Sequence, residues 1–115
     1  MIAFVSGVLV EKRPTEAVID AGGVGYRLLI PASSFDKLPA TGAQFKLLTT
    51  LIVREDSQTL YGFATDAERS TFETMIAVSG VGPKLALAAL SAMSPDELRD
   101  VVVAGDVAML TRIPG

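Results

Sequence analysis

The sequence predicts an α+β fold, a small five-stranded β-barrel followed by an all-α unit, and three observations carry that reading. Residues 1–64 contain short apolar runs, one of them alternating strictly, separated by Gly, Pro or charged turns; this is the pattern of half-buried strands. Past residue 64 the apolar residues recur at helical spacing. Two tetrapeptides there, Thr65-Asp66-Ala67-Glu68 and Ser94-Pro95-Asp96-Glu97, have the form of helix start signals. The chain therefore divides near Ala64, into 1–64 and 65–115.

Ile2 to Val10 is apolar and β-branched, and Glu11-Lys12-Arg13-Pro14 is expected to end it. Glu16 to Ala21 forms a second strand. Gly22-Gly23 turns the chain into a third, in which Val24, Tyr26, Leu28 and Ile30 share the buried face. Pro31 stops it, and Ser33 to Leu38 fits one helical turn. Phe45, Leu47, Thr49, Leu51 and Val53 form the apolar face of a fourth strand, Arg54-Glu55-Asp56-Ser57 a charged turn, and Gln58 to Phe63 a fifth strand. A five-stranded OB-fold is the natural candidate; an SH3-like barrel or a small sandwich fits almost as well. The capping box at Thr65 opens a helix from Asp66 to about Val78, Pro83 starts a second, and Ser94, with Glu97 reaching back, starts a third that stops near Gly105. Asp106 is expected to cap a last short helix through Arg112.

Composition narrows the chemistry. The chain has 115 residues and no Cys, His or Trp. Disulfides, Cys or His metal sites and every imidazole-dependent mechanism are excluded. An all-carboxylate Mg²⁺ or Ca²⁺ site stays open. A formal charge of −3 argues against a broadly basic nucleic-acid coat but leaves room for a local one. No run is long enough for a membrane span, and the first residues lack the pattern of a signal peptide; a cytoplasmic protein is expected.

Met75 to Leu90 reads h-x-x-h-x-G-h-G-x-x-x-A-x-x-h-h. Two helices joined by a Gly-h-Gly turn present successive N–H groups at a helix N-terminus, where the dipole also favours an anion. Ser79, Gly80, Val81 and Gly82, with Lys84, are the candidate phosphate contacts, Val81 tucking inward to lock the turn. This is the spacing of a helix-hairpin-helix, which grips the sugar-phosphate chain without reading bases. An αα-hairpin with no ligand is the competing reading. Leu110-Thr111-Arg112-Ile113-Pro114-Gly115 repeats the start of the motif, so Gly115 is expected to open a second hairpin and the sequence to be a fragment. Neither Gly82-Pro83-Lys84-Leu85 nor Gly22-Gly23-Val24-Gly25 has the spacing and context of a nucleotide-binding loop. Glu55 and Asp56 are a solvated turn, a metal site or an element that repels phosphates.

Three segments together resemble one family: Asp20-Ala21-Gly22-Gly23-Val24-Gly25-Tyr26; Val53-Arg54-Glu55-Asp56-Ser57 with Leu60-Tyr61-Gly62-Phe63; and Ser79-Gly80-Val81-Gly82-Pro83-Lys84-Leu85-Ala86. Their order and content resemble the RuvA family of bacterial Holliday-junction proteins, from Met1 to Gly115. The resemblance implies an OB-fold followed by two helix-hairpin-helix elements. It implies a homotetramer, or an octamer on DNA, that spreads a four-way junction flat. Amides around Gly80, Val81 and Gly82, with Lys84, would bind phosphates, and Gly115 would begin the second such site. Glu55 and Asp56 would match an acidic pin at the junction centre. It further implies no catalytic residues and no cofactor. The implied partners are the ATPase motor RuvB, reached through a C-terminal domain missing from this sequence, and the resolvase RuvC, in recombination and DNA repair. Phe4 and Ser6 depart from the basic residues that relatives often carry on the first strand. Two other readings stand beside this one: a nuclease or polymerase accessory enzyme, which would need a carboxylate cluster, and a protein-interaction module whose hairpins only pack.

Overall fold

A computed structural model describes residues 2–103 and 105. The expected helix from Asp106 to Arg112 and the repeat ending at Gly115 lie outside the described residues. Five strands, β1 (Phe4–Arg13), β2 (Glu16–Ala21), β3 (Val24–Leu29), β4 (Gln44–Arg54) and β5 (Ser57–Phe63), close into a barrel in the order β1-β2-β3-β5-β4. All neighbours are antiparallel except β3 and β5, which meet in parallel at Leu29 and Tyr61. A short helix α1 (Ala32–Phe35) bridges β3 and β4, and helices α2 (Asp66–Ile76), α3 (Pro83–Ala92) and α4 (Pro95–Val103) follow. The OB-fold expectation is met.

Local signals explain most boundaries. Ala21 pairs with Val24, so Gly22-Gly23 is a two-residue hairpin loop, and the Gly23 amide donates to Asp20 Oδ1 at 2.9 Å. Gly7 is required for a different reason: a Cβ there would stand 2.1 Å from the Asp20 carbonyl oxygen, so only glycine lets β1 pass the end of β2. At α4 the capping box is complete. The Glu97 amide donates to Ser94 Oγ at 3.2 Å, and the Ser94 amide donates to Glu97 Oε1 at 3.0 Å.

Four details differ from the sequence reading. β1 does not end at Val10. Its register slips between Leu9 and Glu11, and Glu11, Lys12 and Arg13 then pair with Val18, Ala17 and Glu16. The charges read as a turn instead form ion pairs on the outer surface, with Arg13 2.8 Å from Glu11 and Glu16 2.7 Å from Arg27. Val24 and Val53 are exposed, 52% and 62%; they keep the alternation, but each sits at the end of a hairpin where no core remains to cover it. Helix α2 ends at Ile76 rather than near Val78, because the chain tightens there: the Val78 amide donates to Met75 O at 3.0 Å.

The fourth difference is Glu68. The Glu68 amide donates to Thr65 Oγ1 at 3.2 Å, as a cap requires, but the carboxylate turns inward and is 1% exposed. It accepts from Ser33 Oγ (2.5 Å), Thr65 Oγ1 (2.7 Å), Ser34 Oγ (2.9 Å) and Lys37 Nζ (3.3 Å). One carboxylate thus ties α1 to the start of α2. Burial raises its pKa, but the three hydroxyls and the Lys37 charge outweigh burial and leave it below the usual carboxylate value. A lowered folded-state pKa means stability present above the ordinary carboxylate range and lost as pH falls through the lowered value. Glu68→Gln is expected to cost about 1–3 kcal/mol at neutral pH, because a buried network loses its charged acceptor. It should also flatten the loss of stability below about pH 4. Urea titrations of both proteins across that range check this.

Strand β5 separates two cores. On the barrel side Leu9, Ile19, Leu28 and Leu47 are fully buried, with Leu60 packed against them. On the other side Tyr61 and Phe63 meet Phe72 of α2, ring centroids 5.1 and 4.9 Å apart. Met75, Val81, Ala86, Ala89, Leu90 and Leu98 complete that second core. The helices are therefore seated on the barrel wall, and the turn between α2 and α3 is anchored from below.

Candidate nucleic-acid interface

The turn between α2 and α3 is built from a glycine that bends and a valine that holds. Gly80 has φ +88°, a conformation that side-chain-bearing residues avoid, and it reverses the chain after Ser79. Val81 then points inward, 5% exposed, into the core of Phe72 and Leu90. Gly82 is the N-cap of α3 and Pro83 its first residue. With glycine as the cap, no side chain satisfies the first N–H groups of the helix.

Among the described residues, the main-chain N–H groups of Ser79, Gly80, Gly82, Lys84 and Leu85 donate to no main-chain acceptor. Ser79, Gly80, Gly82 and Lys84 are exposed. The Val81 amide is different: it donates to Val78 O at 3.1 Å, so in this conformation Val81 serves the turn through its side chain. Lys84 forms no salt bridge among the described residues. The result is a set of unpaired donors, most of them on exposed residues, at a helix N-terminus, with the Lys84 ammonium beside them. A phosphate oxygen meets both requirements, hydrogen-bond acceptors and negative charge. A Cβ at Gly82 would meet nothing within 4 Å, so space over the turn is open. Leu85, which is not among the candidate contacts read from the sequence, joins the donors through its amide; Pro83 at the first helical position is the available signal.

Glu55 and Asp56 occupy the tip of the β4–β5 hairpin, between the paired residues Arg54 and Ser57, and both are exposed. Neither makes a salt bridge among the described residues. They stand on a different element from residues 79–84 and share no hydrogen bond with them, so a protomer offers a donor site and an acidic tip that are separate. Gly115, the remaining candidate, lies outside the described residues. Among the described residues no three carboxylates gather as a metal site would require, and no helix is long and apolar enough to cross a membrane.

Comparison with known proteins adds the following. A family model described as "RuvA N terminal domain" matches residues 1–62, and one described as "SAM-like Helix-hairpin-helix tandem" matches residues 72–115. A protein of Salinibacter ruber named "Holliday junction branch migration complex subunit RuvA" is 55% identical over 115 residues, which are 100% of this chain and 57% of that protein. Proteins with the same name from Methylobacillus flagellatus and Paraburkholderia phytofirmans are 52% and 51% identical over the whole chain, covering 59% and 60% of their lengths. The chain thus spans a little over half the length of these relatives.

Proposed function

This chain belongs to the RuvA family, and from that membership we propose that it is a structure-specific DNA-binding subunit that holds four-way junctions open for branch migration. The observation that carries the proposal is the set of unpaired amides at Ser79, Gly80, Gly82 and Lys84 on a turn locked by Val81. Such donors bind the sugar-phosphate chain by position and charge, without regard to base sequence. That suits a protein that must follow a junction as its sequence changes. The family likeness extends the proposal to a second hairpin opening at Gly115.

Residues 1–64 are proposed as the unit that assembles the subunits and meets the junction centre, and residues 65–115 as the unit that grips the arms. Four copies in a homotetramer, or eight in an octamer on DNA, would bring four acidic tips to the crossover. There Glu55 and Asp56 repel phosphates while the hairpins attract them, so that strands part at the centre and stay bound along the arms. The subunit does no catalysis and holds no cofactor in this reading. Movement of the junction is assigned to an ATPase partner, RuvB, with RuvC as the resolving partner, in the cytoplasm.

Gel-shift titration tests the proposal. A four-way junction should bind more tightly than linear duplex of the same length, and log K should fall by about 0.9 per phosphate neutralised as log salt rises. Equal affinity for both DNAs would overturn it. Glu55→Gln with Asp56→Asn removes two negative charges per subunit without touching the core. It is expected to tighten binding of linear duplex, whose phosphates must cross the centre, more than binding of the junction, whose strands part around it, and so to narrow the gap by about tenfold, since a like-charge contact in bulk water costs on the order of 1 kcal/mol. An unchanged preference would remove the acidic tip from the mechanism.

A further inference from the structure

Phe4 is 54% exposed on the outer face of the barrel, and nothing in the packing of either core accounts for it. Its neighbours form a small site. Lys46 Nζ lies over the ring, 5.2 Å from the centroid. Ser6, exposed, pairs with Lys46 across β1 and β4. Beside Phe4 a groove of about 170 Å³ is lined by Ile2, Val5, Ser6, Ala21 and Tyr26. It lies where β1 passes beyond its pairing with β2, which begins only at Val8 and Asp20.

We infer that this groove is a stacking site for one unpaired nucleobase of single-stranded DNA, with Lys46 holding an adjacent phosphate. The inference rests on the DNA-binding reading above and adds to it a ligand that the helix turn does not take. An exposed aromatic face on a barrel, with a cation beside it, is the combination that holds single strands: bases stack on the ring and the ammonium meets the backbone. The charge fits the same occupant, because Lys46 makes no ion pair among the described residues. Duplex arms fit poorly: their bases are already stacked, and one cation cannot track a double-stranded backbone. A junction held open supplies unpaired bases at its centre, which is the source this site would draw on. Ser6 Oγ offers a donor or acceptor to the base edge, in keeping with a site that accepts every base.

Fluorescence anisotropy with a short fluorescein-labelled oligothymidylate, alongside gel shifts with a four-way junction, tests the inference. Phe4 is exposed, so its variants should fold with an unchanged thermal midpoint. Phe4→Leu, which keeps an apolar side chain and loses the ring, should weaken oligothymidylate binding about tenfold, whereas Phe4→Trp should keep or tighten it. Lys46→Gln should reduce the salt slope for oligothymidylate by about 0.7, one phosphate on a single strand. The inference is overturned if the unaltered protein binds no oligothymidylate, if Phe4→Leu binds it as well as the unaltered protein, or if Leu and Trp lose it equally. A changed solution mass in Phe4→Leu with DNA binding intact would also overturn it, by making the groove a contact between copies. Should the unaltered protein grip the junction while the Phe4 variants leave oligothymidylate binding untouched, this site falls and the proposed function stands. If the unaltered protein binds no junction, the proposed function itself falls.

Discussion

Gly82→Asp combined with Lys84→Ala should abolish most junction binding and leave the fold intact. Position 82 is the N-cap of α3, with ordinary negative φ and open space around its Cβ. An aspartate there is among the best capping residues; its carboxylate would accept from the amides of Lys84 or Leu85, the same donors that await a phosphate. The substitution therefore fills the anion site with an internal anion and adds repulsion toward DNA. Removing the Lys84 ammonium takes away a positive charge beside it. Bonds to a charged group contribute roughly 1.5–3 kcal/mol each, so the pair should weaken binding by about 100-fold or more for each hairpin engaged. The thermal midpoint should hold or rise slightly, since the cap is improved. This separates binding from folding: junction affinity that survives in a well-folded double variant would mean that the α2–α3 turn does not carry the grip.

The largest effect on stability is expected at Phe72. Its ring is fully buried against Tyr61 and Phe63 of β5 and links helix α2 to the barrel. Phe72→Ala removes that ring and leaves a cavity that the stiff barrel wall cannot close. The cost is expected to be about 3–5 kcal/mol, a large part of the stability of a domain this size. Because Met75, Val81 and Leu90 share the same core, the α2–α3 turn should loosen as well. Urea unfolding followed by circular dichroism should show the midpoint falling sharply. Amide exchange at Val81, whose bond to Val78 O depends on the anchored turn, should speed up. A loss under about 1 kcal/mol would mean that the helices are not seated through this residue.

The parts of the fold that were legible in the sequence are those encoded locally. Gly22-Gly23, Pro83 and the box from Ser94 to Glu97 each act within a few residues, and each does what its chemistry dictates. The candidate phosphate site belongs to this class, since Gly80, Val81, Gly82 and Lys84 are neighbours in the chain. What escaped depends on distant partners. Glu11, Lys12 and Arg13 look like a turn until Glu16 and Arg27 are brought beside them. Glu68 has the position of a capping residue, and only the arrival of Ser33, Ser34 and Lys37 makes it a buried clamp. Val24 and Val53 obey the strand alternation, but alternation does not say where a strand outruns the core. Phe4 stood out in the sequence as a departure from family likeness, while the ammonium beside its ring comes from β4. The engaged Val81 amide was likewise invisible to a motif that treats every N–H in the turn alike.

The most direct measurement is of the main-chain amides themselves. In a nitrogen-15 spectrum of the protein titrated with a four-way junction, the account predicts downfield proton shifts at Gly80, Gly82 and Lys84 as phosphates accept from them, with Val81 moving little. Junction binding that leaves those three resonances where they stand in the free protein would contradict it.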